Sequence, residues 1–300
     1  MTSERTLHPP AASHLQTALQ AALQKTRRIG GAHDGERIAG SSAITLREWL
    51  RLAPFSLALS SGYFSFYVHL GLISMLEEEQ LIPEQISGSS AGALVGSCFA
   101  AGMSSARIAS VLIGLRKEQF WDPGFGPGLL RGEKFRTLLR NMAPVDRIER
   151  CPIPLAVSTY SFATGKTKVF RHGNFADVVY ASCALPLLFQ PVRIGKRWYW
   201  DGGIKDRHGL AGAPAADRVL YHHISSLSPW RNSGSESMQL PGAPNIVSLC
   251  IDGLPRCGVN RLAAGEAIFK LTRRTIRRAL DAPIEHNSVR LRALQTVHRR

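Results

Sequence analysis

Residues 86–101 read I-S-G-S-S-A-G-A-L-V-G-S-C-F-A-A. Gly88, Ser90 and Gly92 form a G-x-S-x-G pattern with Ser90 at its centre. A short β-prone segment, 84–87, enters the pattern, and a helix of small apolar residues, 91–101, leaves it. A strand that turns at once into a helix forces the tip residue into a strained backbone. The positions two before and two after it must then be small. Gly88 and Gly92 meet that need. The tip hydroxyl sits exposed at a helix N-terminus, where backbone N–H groups can stabilise an oxyanion. The pattern alone also describes an ordinary Gly/Ser turn, but the strand–turn–helix context favours a nucleophile elbow. Ser89 is a second hydroxyl, which the spacing places beside the tip.

On both sides of the elbow, strands alternate with helices. Buried strands are expected over 55–60, 219–224 and 246–251, and hairpins over 153–162/166–170 and 192–194/197–200. Helices are expected over 45–52, 64–80, 104–118, 133–142, 174–182 and 261–280. This alternation predicts an α/β sandwich with a largely parallel sheet, the elbow lying at its carboxyl edge. Residues 120–132, rich in Gly, Pro and aromatics, read as a connection that either rims an apolar cleft or simply packs. Residues 185–191 read as a Pro-bounded loop and 225–244 as a mobile polar segment. A short amphipathic helix over 13–28 and a Gly-rich linker to residue 42 precede the main domain, 43–259. A basic tail, 260–300, follows, with a last helix or frayed end over 284–300.

The chain carries 37 Lys and Arg against 22 Asp and Glu, a net charge of +15. Ten of those cations against three acids fall in 260–300. Such an excess calls for an anionic partner. The apolar side chains Ile268, Phe269 and Leu271 on the basic helix suit an anionic membrane surface. The alternative is a helix packed by one face with its arginines in water. A nucleic-acid partner is disfavoured, since no recognition motif accompanies the arginines. The five cysteines are odd in number, widely spaced and without a C-x-x-C pair. They read as free thiols in a reducing compartment, with neither a metal nor a disulfide framework, and no cofactor is expected. No apolar run reaches spanning length and no secretory leader is visible, so a cytoplasmic, peripherally membrane-associated protein is expected.

A serine nucleophile needs a base. Asp201 is the candidate: it ends the strand W-Y-W-D, and Gly202 and Gly203 let other backbone approach closely. By itself D-G-G also fits a plain turn. His208, His222 and His223 follow in the order of a Ser–Asp–His triad. His222 and His223 share a strand, so they point to opposite faces and at most one could reach the site. His69, inside an apolar helix, reads as a packed core group.

Four blocks resemble the patatin-like phospholipase family: L-A-L-S-S-G-Y-F-S-F-Y-V-H-L-G-L (57–72), I-S-G-S-S-A-G-A-L-V-G (86–96), A-S-C-A-L-P-L-L-F-Q-P-V (181–192) and Y-W-D-G-G-I (199–204). Their order and spacing fit over roughly residues 55–210. The resemblance implies a three-layer α/β/α sandwich and a metal-free Ser–Asp dyad. Ser90 would be the nucleophile and Asp201 the general base. The substrate would be a phospholipid, lysophospholipid or other acyl-ester lipid. The first block implies that Ser61, Gly62 and Tyr63 supply the oxyanion donors. It departs from the family's run of glycines with a basic residue, keeping only Gly62 and placing Ser65 where the base would be. A catalytically weak or inactive lipid- or protein-binding module is therefore the second reading.

Overall fold

The computed structural model describes residues 43–215, 217–225, 239–255 and 257–294. The elements expected over 13–42, the middle of the polar segment 225–244 and the last residues of the tail lie outside the described residues.

Helix α1 (Leu46–Leu52) starts at Thr45, which forms a reciprocal capping box with Glu48. Strand β1 (Ser56–Leu59) is buried along its whole length. Helix α2 (Phe66–Glu78) is buried on nearly every side, which explains its continuous rather than striped hydrophobicity. Strand β2 (Gln85–Ser89) enters α3 (Ala91–Ala100), and every residue of α3 is buried. Ser104 caps α4 (Ser105–Ile113) and Asn174 caps α6 (Phe175–Cys183) by accepting backbone N–H bonds. Between them lie β3 (Gly128–Leu130), α5 (Glu133–Met142), β4 (Leu155–Ser161) and β5 (Lys166–Phe170). The chain continues through β6 (Leu187–Phe189), β7 (Val192–Ile194), β8 (Arg197–Asp201), β9 (Val219–His223), β10 (Ile246–Asp252), α7 (Gly265–Leu280) and β11 (Ser288–Arg292).

Strands β11, β10, β9, β1, β2 and β4 lie side by side in that order, every neighbouring pair parallel. Among the described strands, the antiparallel pairs are β4 with β5, β4 with β8, and β7 with β8. The result is a mixed α/β fold on a mostly parallel sheet, as the alternation predicts.

One register carries the functional geometry. On β4, Ser158 faces Ser89 of β2, and the next residue, Thr159, faces Asp201 of β8. The opposite edge of β4 is occupied over 157–161 by β5. Strands β2 and β8 therefore approach the same edge of β4 and end against each other. Ser90 and Asp201, 111 residues apart in the chain, become neighbours.

The large core lies between the sheet and its helices and takes in Leu57, Leu59, Leu220, Leu249 and the buried faces of α2, α3 and α7. The opposite parity of the strands (Ala58, Val219, Tyr221, Ile246) forms a smaller cluster, closed by Leu210, Ala213, Leu240 and Ala243.

One expectation for residues beyond 260 is corrected, and of the two readings of the basic helix the packed one is observed. Residues 288–292 extend the sheet as β11, parallel to β10, instead of forming a helix or a frayed end. Helix α7 forms as expected, but its apolar face is used inside the fold. Ile268 and Leu271 are buried, Phe269 is half-buried against the core, and Thr272 packs where α2 has Gly71. Arg273 and Arg277 both pair with Glu78 of α2. Ile268 and Leu271 are thus taken up by the fold, and Phe269 in part. Among the described residues, no helix is long and apolar enough to cross a membrane.

Candidate active site

Ser90 stands between β2 and α3 at φ +52° and ψ −116°, the strained tip that the flanking glycines imply. A Cβ on Gly92 would lie 2.2 Å from the Leu59 carbonyl oxygen, and one on Gly88 would lie 2.8 Å from the Ala93 nitrogen. Both glycines are needed for close approach of the backbone.

The Ser90 hydroxyl donates to Asp201 Oδ2 at 2.7 Å. Asp201 Oδ1 accepts the Gly203 N–H at 2.7 Å, which fixes the carboxylate. A Cβ on Gly202 would meet the Ser158 carbonyl, and one on Gly203 would meet Ser61 Oγ. The two groups are 7% and 2% exposed, so their hydrogen bond is shielded from water.

The third block of the sequence supports both partners, a role not read from the chain. Ser182 Oγ accepts the Ser90 N–H at 2.9 Å and donates to the Ser158 carbonyl at 2.7 Å. The Ala184 carbonyl accepts the Asp201 N–H at 3.1 Å. Cys183 donates its thiol proton to the Ser90 carbonyl at 3.3 Å. Burial, with the nearby Asp201 carboxylate, pushes that thiol well above its ordinary pKa. A small residue within a helix end gives no sequence signal that separates such a hydrogen-bonding role from packing.

The loop 61–63 borders the site, but its members differ. Ser61 N–H donates to the Arg207 carbonyl at 2.7 Å, so the donor expected of Ser61 is already committed. A Cβ on Gly62 would meet the Ile224 side chain, and Tyr63 takes φ +53°. Ser65 N–H closes the turn on the Gly62 carbonyl at 2.9 Å. Arg207, buried at the cavity wall, donates to the Ile224 carbonyl at 3.0 Å and braces the loop from behind. Nothing in the sequence linked it to this loop. Ala91, the first residue of α3, also lines the site.

The histidines stay outside. Among the described residues, none lines the cavity over Ser90. His222 and His223 do point to opposite faces. His223 Nδ1 lies 2.7 Å from the Tyr221 hydroxyl, which lies 2.7 Å from His208 Nδ1. His222 Nδ1 lies 2.9 Å from His69 Nδ1, and His69 Nε2 lies 2.7 Å from the Ser60 carbonyl. A carbonyl only accepts, so His69 carries its proton on Nε2, and His222 donates from Nδ1. Burial lowers His69 to about 4 and His222 well below its ordinary value. Both are neutral core groups.

Ser90 and Asp201 open onto a cavity of about 620 Å³. Its wall is mainly apolar, with Phe64, Leu94, Leu112, Phe135, Leu138 and Phe189 around it. Residues 120–132 and 185–191, expected as loops, pair through β3 and β6 at its rim. Among the described residues, no group of three or more His, Cys, Asp or Glu side chains is placed to hold a metal ion.

The family model for "Patatin-like phospholipase" matches residues 57–213. Uncharacterized NTE family proteins of Mycobacterium bovis and Mycobacterium tuberculosis are each 34% identical over 205 residues, covering 67% of this chain and 55% of theirs. The chain thus spans about half the length of these curated relatives. Among solved structures, VipD from Legionella pneumophila aligns with a TM-score of 0.46 at 19% identity, over 56% of this chain and 49% of that one. ExoU from Pseudomonas aeruginosa, in its complex with SpcU, aligns with a TM-score of 0.35 at 17% identity, over 76% and 52%. The family match covers more than half of the chain and contains the elbow, both strands that meet on β4 and the D-G-G turn, and the chain belongs to the patatin-like phospholipase family.

Proposed function

We propose that this protein is a serine hydrolase of lipid acyl esters that works through a Ser90–Asp201 dyad. The observation that carries the reading is the 2.7 Å bond between Ser90 Oγ and Asp201 Oδ2 at the wall of an apolar cavity. Asp201 takes the serine proton as Oγ attacks the ester carbonyl carbon. The oxyanion is met by the backbone N–H groups of Gly62 and Ala91, aided by the positive end of α3. Collapse breaks the ester bond, and the proton on Asp201 goes to the departing alcohol. Asp201 then deprotonates a water that attacks the acyl-serine, the bond to Ser90 Oγ breaks as Oγ takes that proton back from Asp201, and the fatty acid leaves. The cavity, within the size range usual for small-molecule sites, holds the acyl chain.

The chain-length profile tests this. Hydrolysis of p-nitrophenyl esters should rise in kcat/KM from acetyl to long acyl groups. Leu138→Trp, which fills the cavity wall, should remove the gain for long chains and spare the short ones. No turnover of any ester, or a profile indifferent to both chain length and Leu138→Trp, overturns the proposal.

The loop 60–66 favours one second reading. Its glycines are largely replaced and the Ser61 N–H is spent on Arg207, and a misaimed oxyanion donor costs about 10²–10³ in rate. A lipid-binding module with a weak site would bind vesicles yet leave Ser90 unreactive toward a fluorophosphonate.

A further inference from the structure

Three of the most exposed large apolar side chains share one small structure. Phe125, in the turn leading into β3, is fully exposed, Leu187 at the start of β6 is 80% exposed and Leu129 of β3 is 50% exposed. β3 and β6 pair in parallel, with Gly128 opposite Leu187 and Leu130 opposite Phe189. Gly128 and Leu130 are buried, so Leu129 between them faces outward.

These side chains are not carried on a loose loop. Gln190 Nε2 donates to the Phe125 carbonyl at 2.9 Å, and Gly124 N–H donates to the Leu129 carbonyl at 3.1 Å. Leu187 holds φ +69°, a conformation that costs a leucine about 1 kcal/mol or more. Leu187 also lines the cavity, followed by Leu188 and Phe189. One apolar surface therefore runs from solvent to the cavity above Ser90.

Cationic side chains flank this surface, and Glu133 nearby is paired with Arg136. Arg131 folds over Gly124, where a Cβ would meet its Nε, so a cation stands beside Phe125. Onward from β6 to Trp200, the chain carries Arg193, Lys196 and Arg197, all exposed, and no Asp or Glu. Asp122, an acid of the rim loop, is occupied by the Gly132 and Lys134 backbone N–H groups.

We infer that the β3–β6 ribbon is the face that enters an anionic lipid surface. Phe125, Leu129 and Leu187 sink among acyl chains, and Arg131 meets the headgroups. The cavity mouth then opens into the bilayer, so an acyl chain can pass to Ser90 without crossing water. Three side chains make a patch too small for a stable dimer. They are well suited to insertion beside basic residues. This inference rests on the acyl-ester hydrolase reading and moves the membrane contact from α7 to the rim of the site.

The test uses the full chain carrying Ser90→Ala, so that binding is measured without turnover. Sedimentation is done with vesicles of mixed phosphatidylcholine and phosphatidylglycerol. Adding Phe125→Asp and Leu129→Asp should weaken partition about tenfold or more. Adding Arg274→Ser and Arg278→Ser on α7 should change it by less than about twofold. With Ser90 intact, Phe125→Asp/Leu129→Asp should hydrolyse a soluble short-chain ester at the wild-type rate, which shows that the fold and site remain. Unchanged vesicle partition in the rim variant overturns the inference, as does a loss matched by the α7 variant. A wild-type dimer that the rim variant dissociates also overturns it. If wild type hydrolyses no ester, the catalytic proposal fails, while the partition measurement still reports on the rim.

Discussion

Ser182→Ala isolates the support beneath the nucleophile. Ser182 and Ser97 are both fully buried serines on helices, but their hydroxyls differ. Ser182 Oγ accepts the Ser90 N–H and donates to the Ser158 carbonyl. Ser97 Oγ has no hydrogen-bond partner among the described residues. Removing Ser182 Oγ strands a buried N–H and weakens the satisfaction of a buried carbonyl, at about 1–3 kcal/mol for an unsatisfied group. The stranded N–H belongs to a residue already held at φ +52°, a strain of about 1–3 kcal/mol that the hydrogen bond helps to hold. Ser182→Ala should therefore lose about 2–3 kcal/mol, roughly 4–12 °C in Tm for a domain of this size. Fluorophosphonate labelling of Ser90 should slow by about ten- to a hundredfold as the elbow relaxes. Ser97→Ala, which removes an unpaired polar atom, should leave stability unchanged or raised and labelling at the wild-type rate. Equal Tm and labelling rates for the two variants would refute the reasoning.

Two further outcomes follow from the same packing. Burial lowers His69 to about 4 and His222 well below its ordinary value, so the unfolded chain binds protons near its ordinary histidine pKa while the folded chain does not. Stability from these groups is complete above about pH 6.5 and is lost as pH falls below it, toward 4 for His69, with a slope of up to about 1.4 kcal/mol per pH unit for each histidine. Urea midpoints measured between about pH 7 and pH 5 should fall accordingly, and a flat profile contradicts the burial argument. Gly92→Ala would place a Cβ 2.2 Å from the Leu59 carbonyl oxygen, a clash of backbone with backbone that costs several kcal/mol, on the order of the largest single-residue effects. The variant should fail to yield folded protein by circular dichroism, and a native-like Tm would show that the elbow does not need its glycine.

The elbow, the D-G-G turn and both hairpins were legible because each is a local pattern with a steric reason at fixed spacing. The meeting of Ser90 with Asp201 is a matter of register on β4, and the resemblance supplied it where spacing could not. Strand β11 escaped notice although S-V-R-L-R alternates, because it is only five residues long, rich in exposed arginine and follows a basic helix. The three-residue strands β3 and β6 are too short to show a period and exist through each other. The fate of Ser61 depends on Arg207, nearly 150 residues onward, and the supporting hydroxyl of Ser182 sits in a run of small residues where packing predicts the same composition. The apolar face of α7 was visible, but its partner was not: Gly71 and its neighbours on α2 take it up.

The central claim, that Ser90 is a nucleophile activated by Asp201, is tested most directly by fluorophosphonate labelling of the purified chain with and without anionic vesicles. Ser90→Ala, Asp201→Asn and Ser89→Ala are run beside wild type. The account predicts labelling of wild type and Ser89→Ala, none of Ser90→Ala, and a loss of about a hundredfold or more in Asp201→Asn. Wild type left unlabelled under both conditions, or Asp201→Asn labelled as fast as wild type, would contradict it.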